Sequence, residues 1–71
     1  MEKLDYIGKL IKERRNLLGI NQQDLAEISG VSLRSLKSIE TGKGNPTLVQ
    51  LYNILNPIGL KIKIVPENEN N

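Results

Sequence analysis

Apolar residues recur at helical spacing along most of the chain, and the period changes only near its end. Ile7, Leu10, Ile11, Leu17 and Leu18 predict one helix over residues 4–18. Gly19 is the residue type that closes a helix in the left-handed conformation. Asn21 is a good N-cap for a short second helix, with Asp24 three residues on as a loose capping-box partner. Leu25, Ala26 and Ile28 are its apolar set, and Gly30 breaks it. Ser32 then caps a third helix over 33–40. Val31 before that cap and Leu36 within the helix have the spacing of a hydrophobic staple, and Leu36 shares a face with Ile39. Residues 41–45 form a loop punctuated by Gly42 and Gly44. Thr47 caps a fourth helix, whose Leu48, Leu51, Tyr52 and Leu55 fall at i, i+3, i+4 and i+7. This stripe is expected to serve as core and dimer interface. Asn56-Pro57 stops the helix.

Leu60-Lys61-Ile62-Lys63-Ile64 instead alternates apolar and basic residues, the pattern of a half-buried strand. A lone strand leaves its backbone groups unpaired, and nothing else in the chain reads as a partner. The same strand of a second copy would serve, antiparallel across a two-fold axis, with Leu60, Ile62 and Ile64 turned towards the helices. A short fifth helix or a frayed tail is the alternative; β-branched residues and strict alternation argue against the helix. The organisation expected is a helical body over 1–58, a dimerising strand over 59–65 and a disordered tail over 66–71.

Composition narrows the chemistry. Seventy-one residues make one domain at most. A chain this short buries only about 60% of its unfolded surface, so its core is marginal without a supplement. With no Cys and no His, disulfides, zinc sites and imidazole catalysis are excluded, and a partner chain remains. The ten Lys and Arg all lie at or before Lys63, while Glu67 and Glu69 hold two of the eight acids in the tail. A mildly basic body favours polyanions. The first residues, MEKLDYIGKL, contain acids and no apolar run, unlike a signal peptide, and no stretch approaches the ~20 apolar residues of a membrane span. A cytoplasmic protein without membrane association is expected. There is no Gly-rich phosphate loop with Lys and no carboxylate pair beside a nucleophile, so neither an enzyme nor a cofactor is expected. Tyr6 and Tyr52 are the only aromatics, too few for the stacking platforms of single-strand binders.

Residues 21–40 spell helix, tight turn, helix, with Ser29-Gly30-Val31 as the turn and small Ala26 where the two would cross closely. In that geometry the second helix enters the DNA major groove. The outward residues of 33–45 are hydrogen-bond donors with nothing obvious in the chain to bond. Gly19, Gln22, Leu25-Ala26, Gly30-Val31-Ser32, Ile39-Glu40, Gly42 and Asn45-Pro46 stand in the order and spacing of the phage repressor/Cro (XRE) family, which this half of the chain resembles. The resemblance implies an all-α, lambda-repressor-like four-helix domain binding double-stranded DNA. Here it is expected to be joined to a C-terminal β-strand that pairs across a homodimer.

In that family the positions matching Leu33, Arg34 and Ser38 face base edges. Arg34 is the strongest base reader, because a guanidinium bonds guanine O6 and N7 together, worth ~1–3 kcal/mol of discrimination. Leu33 has two readings, contact with a thymine methyl or packing on Val31. The position matching Gln22 bonds a phosphate and braces the recognition helix. Asn21 beside it, and Lys37, Thr41, Lys43 and Asn45 at the helix end and loop, are expected on the phosphate backbone, with Gly42 and Gly44 letting the loop come close to it. The positions matching Arg15 and Glu40 form a structural ion pair. A helical wheel instead places Arg14 nearer the centre of the first helix's apolar face, and Arg14 is expected to snorkel or to reach a phosphate.

The run NPTLVQLYNILNPIGLKIKIV is similar to the HipB-like antitoxin regulators, whose C-terminal strands pair across the dimer. That similarity puts Leu51, Tyr52, Leu55, Leu60, Ile62 and Ile64 at the dimer interface. It implies a repressor of its own promoter that reads a palindromic operator and partners a HipA-like kinase toxin. A stand-alone regulator and a protein–protein adaptor on the same fold are the alternatives.

Overall fold

A computed structural model describes residues 2–68 as four helices and one 3-10 turn. Helix α1 spans Glu2–Leu17, α2 Gln22–Ser29, α3 Leu33–Glu40 and α4 Leu48–Leu55, with the 3-10 turn at Asn56–Ile58. The caps follow the local sequence. Asn21 Oδ1 accepts from Asp24 N at 2.7 Å and Ser32 Oγ from Ser35 N at 3.0 Å. Thr47 and Gln50 form a reciprocal capping box at 2.9 and 3.0 Å. Each bond satisfies an amide that the first helical turn leaves without a partner. Gly30 closes α2 at φ +73°, in the left-handed region where only glycine is comfortable.

The core draws on every element: Ile11 from α1, Leu25 and Ala26 from α2, Leu36 and Ile39 from α3, Ile54 and Leu55 from α4, and Ile58 from the 3-10 turn. Each fully buried Leu or Ile contributes about 1.5–3 kcal/mol. Helix α1 crosses the end of α3 at Gly8. A Cβ there would meet the carbonyl oxygens of Ile39 and Glu40, the latter at 2.7 Å. Glycine is therefore what lets these two helices approach so closely.

Five apolar assignments differ from the sequence reading. Leu17, Leu18 and Ile28 are exposed. In α4, two stripes of identical spacing overlap: Leu48, Leu51, Tyr52, Leu55 and Leu51, Ile54, Leu55, Ile58. The core takes the second, leaving Leu48 and Tyr52 exposed with Val49. Pro57 ends the α-helix without ending the turn, because proline fits the first positions of a 3-10 segment, and Ile58 is carried into the core.

Leu60 packs against the core and its N–H bonds Leu55 O at 3.0 Å. Beyond it the chain to Pro66 has no regular secondary structure, and Glu67 and Asn68 form a turn. Among the described residues there is thus no strand where alternation predicts one, since a strand needs a second edge and none of the helices offers it. Of the tail expected to be disordered, Glu69, Asn70 and Asn71 lie outside the described residues, as does Met1. Among the described residues, no helix is long and apolar enough to cross a membrane.

Candidate nucleic-acid interface

Helix α3 has the sharpest division of faces. Leu36, Ile39 and Glu40 are buried, while Arg34 and Lys37 stand in solvent. Ser38 is half-buried on the boundary. Arg34, Ser38 and Asn45 line one groove of about 280 Å³, with Gln50 of α4 on its far wall. Gln50 Oε1 is held by the Thr47 amide, so its amide nitrogen keeps its protons for another acceptor. Gln50 is not singled out in the sequence, where only Thr47 reads as a cap of this helix.

The rear of α3 is anchored by charge. Arg15 Nε lies 2.7 Å from Glu40 Oε2, and Arg15 Nη2 lies 3.0 Å from Oε1. Arg15 Nη1 also donates to Ile20 O at 3.0 Å and to Asn16 Oδ1 at 3.3 Å. The hydrogen bond with Glu40 pushes the Arg15 guanidinium above its ordinary value; burial opposes this and the carboxylate charge adds to it. Gln22 Nε2 donates to Glu40 Oε1 at 3.0 Å, tying the start of α2 to the end of α3. One amide proton of Gln22 is thereby committed, and the other is available at the surface.

This pair settles the electrostatics of the exposed face. Residues 33–45 contain Arg34, Lys37 and Lys43, and their one acid, Glu40, is buried on Arg15. The outward charge of this stretch is therefore all positive, bordered at Gly42 by the Asp5 carboxylate of α1. The left-handed conformation of Gly42, φ +82°, serves the fold here, because Asp5 fills the place a Cβ would take.

The other candidate residues fall into place individually. Leu33 is half-buried and packs against the core cluster. The Thr41 hydroxyl donates back to Ser38 O at 2.9 Å and Lys37 O at 3.2 Å, leaving only its acceptor lone pairs for a ligand. Lys43 and Asn45 are exposed, and the Lys43 N–H is fixed to Ser38 O at 2.8 Å, which holds the loop against α3. Asn21 keeps its side-chain NH₂ free while its oxygen caps α2. Arg14 is half-buried, and its Nε donates to Ile58 O at 3.1 Å, pinning the 3-10 turn to α1. Ser29, the last residue of α2, is buried and its hydroxyl has no partner. Among the described residues, no cluster of carboxylates could hold a metal ion.

This arrangement has known counterparts. The family described as Helix-turn-helix matches residues 11–65. An uncharacterized HTH-type transcriptional regulator of Haemophilus influenzae is 42% identical over 64 residues, covering 90% of this chain and 64% of the relative. One of Methanothermobacter thermautotrophicus is 36% identical over 50 residues, covering 70% of this chain and 72% of the relative. One of Sinorhizobium fredii is 30% identical over 60 residues, covering 84% and 78%. The chain thus spans a little under two thirds of the Haemophilus influenzae relative's length.

Proposed function

The chain belongs to the XRE-type helix-turn-helix family, and on that premise we propose that it binds duplex DNA sequence-specifically and represses transcription as a homodimer. The observation that carries this reading is the exposed face of α3 and its loop. It presents Arg34, Lys37, Ser38, Lys43 and Asn45 outward while its only acid is consumed inside the fold. Arg34 reads bases, with Ser38 beside it; Lys37, Lys43, Asn45, Asn21, Gln22 and the Thr41 oxygen hold phosphates. Phosphate contacts set affinity and register, and base contacts set sequence.

Pairing of residues 59–65 across a two-fold axis supplies the second half-site. Two recognition helices about one DNA turn apart, ~34 Å, then read a palindrome in the cytoplasm. The relatives named as transcriptional regulators support the regulatory role. The antitoxin role, with a HipA-like kinase toxin as partner and the chain's own promoter as target, rests on the resemblance of residues 45–65 alone. Co-purification with the product of a neighbouring kinase-like gene tests it separately.

The primary test is binding to the chain's own promoter region at two salt concentrations, wild type against Arg34→Ala. Specific binding that weakens steeply with salt is expected, with the substitution costing ~1–3 kcal/mol on operator DNA and little on random DNA. Binding that ignores both sequence and Arg34 would reduce the face to a basic surface. Operator binding untouched by Arg34→Ala would favour an adaptor that meets DNA incidentally.

A further inference from the structure

Among the described residues, Ile64 is the most exposed large apolar side chain, at 85%. Cover is lost stepwise along the alternating run: Leu60 packs on the core, Ile62 is 36% exposed and Ile64 stands clear. Beside this run, Leu48, Val49 and Tyr52 of α4 are exposed around an apolar groove of about 380 Å³ that Ile62 also lines. A neighbouring groove of about 450 Å³ is lined by Tyr6 of α1 and by Lys61 and Lys63. The face is thus apolar, with both tyrosines on it and lysines among its walls.

Resting on the strand-paired homodimer reading, we propose that a second copy covers this face in one register. Ile64 meets Ile64 on the two-fold axis, and Lys61 of each copy comes beside Glu67 of the other just beyond the paired run. Symmetry limits the choices. Directly opposed residues of an antiparallel pair point to the same side of the sheet. An axis normal to the sheet also keeps each residue on the same side in both copies. Opposed residues therefore share parity, and one residue meets itself on the axis.

Charge and chain path select among the few centres left. An axis on Lys61 or Lys63 sets like charges face to face. An axis on Ile62 sets Lys61 against Lys63 twice. Directly opposed like charges are destabilising. An axis on Leu60 or earlier runs the pairing into Gly59 and the 3-10 turn. An axis on Val65 leaves only residues 64–66 to pair before the turn at Glu67 and Asn68. The axis on Ile64 pairs residues 62–66 throughout and opposes no two lysines. It also brings the basic Lys61 to the acidic Glu67 at both ends.

Proline fixes the hydrogen-bond phase of this register. Pro66 has no N–H and must occupy a non-hydrogen-bonded pair, here with Ile62. Alternation makes the Ile64 pair non-hydrogen-bonded as well, with Cα atoms about 4.5 Å apart, and gives the ladder bonds to Lys63 and Val65. Ile62, Ile64 and Pro66 of both copies then form one apolar line that continues the grooves beside α4.

The chain has no cysteine, so single substitutions read the register directly. In full-length Ile64→Cys the two thiols fall within the ~4.4–6.8 Å Cα window of a disulfide. In Ile62→Cys they stand ~13 Å apart along the strands. Under mild oxidation, Ile64→Cys is expected to run as a covalent dimer, while Ile62→Cys, Lys63→Cys and Val65→Cys do not. As a second arm, Lys61→Glu and Glu67→Lys are each expected to weaken the dimer about tenfold by light scattering across a dilution series. The double swap should return it to within about twofold of wild type. A dimer that cross-links at 62, 63 or 65 but not at 64, or a double swap as weak as the single variants, overturns the register alone. A dimer that cross-links at none of these positions overturns strand pairing. A monomeric wild type overturns the homodimer reading itself.

Discussion

Glu40 is where the fold and the recognition surface depend on one side chain. Its carboxylate accepts from Arg15 Nε at 2.7 Å, Arg15 Nη2 at 3.0 Å and Gln22 Nε2 at 3.0 Å. Arg15 and Glu40 are only 7% and 6% exposed. Replacing Glu40 by Gln leaves the Arg15 charge buried without its counter-ion. Breaking one side of such a pair costs ~3–5 kcal/mol. A chain of this length has a total stability of roughly 4–11 kcal/mol, so the loss is about a quarter of it or more. Removing both charges together is different, because the desolvation cost disappears with them. Arg15→Met/Glu40→Leu is expected within ~1 kcal/mol of wild type, or above it. The pair is therefore worth far less to stability than either single variant suggests, and the coupling energy of the cycle measures the difference.

Urea unfolding followed by far-ultraviolet circular dichroism, at one protein concentration throughout, reads these values. A Glu40→Gln loss under ~1 kcal/mol with an unchanged urea dependence would refute the buried, bidentate geometry. The pair also has a pH signature. Glu40 raises the Arg15 pKa above the unfolded value. That contribution is fully present below the unfolded pKa and is lost only as pH climbs through the folded one, far into the alkaline range. Titrating towards mild alkali should leave it intact.

Three further substitutions probe the frame around the site. Gly8→Ala forces a methyl onto the carbonyls of Ile39 and Glu40 and should cost ~1–3 kcal/mol despite alanine's better helix propensity; a raised melting temperature would contradict the close crossing. Ser29→Ala removes a buried hydroxyl with no partner and should stabilise by about 1 kcal/mol; destabilisation in the same urea titration would reveal a bond the geometry lacks. Arg14→Met severs the bond to Ile58 O and should cost ~1–3 kcal/mol while leaving DNA affinity at fixed salt unchanged; lost affinity would return Arg14 to the phosphate role.

The helices and caps were legible because their signals are local. Asn21, Ser32 and Thr47 each cap the helix that follows, since a short side-chain oxygen just before a helix satisfies one of its free first-turn amides. What stayed hidden needed three dimensions. Gly8 reads as an isolated glycine in a helical run, a signal for close packing but not for what packs there. Arg14 lies near the apolar face of α1 and invites a snorkelling reading, yet its partner is a backbone carbonyl 44 residues away. Ile58 follows a proline, where the helical pattern formally ends, so its burial depended on a 3-10 turn that periodicity does not mark.

Helix α4 shows why a correct pattern yielded an incorrect core. Leu51 and Leu55 belong to two stripes at once, and amphipathic spacing cannot rank them. Packing does: Ile54 and Ile58 point where α1, α2 and α3 converge, so the stripe that includes them is buried. Leu48 and Tyr52 are then left on the outside with Val49, beside an alternating run that also lacks cover. Scattered exposed apolar residues need no explanation, but a contiguous apolar patch does. A helix apolar around most of its circumference, on a chain too short for a deep core, is the pattern of an element with two partners. The domain's own core is one of them, and the face left over is the one the proposed second copy would cover.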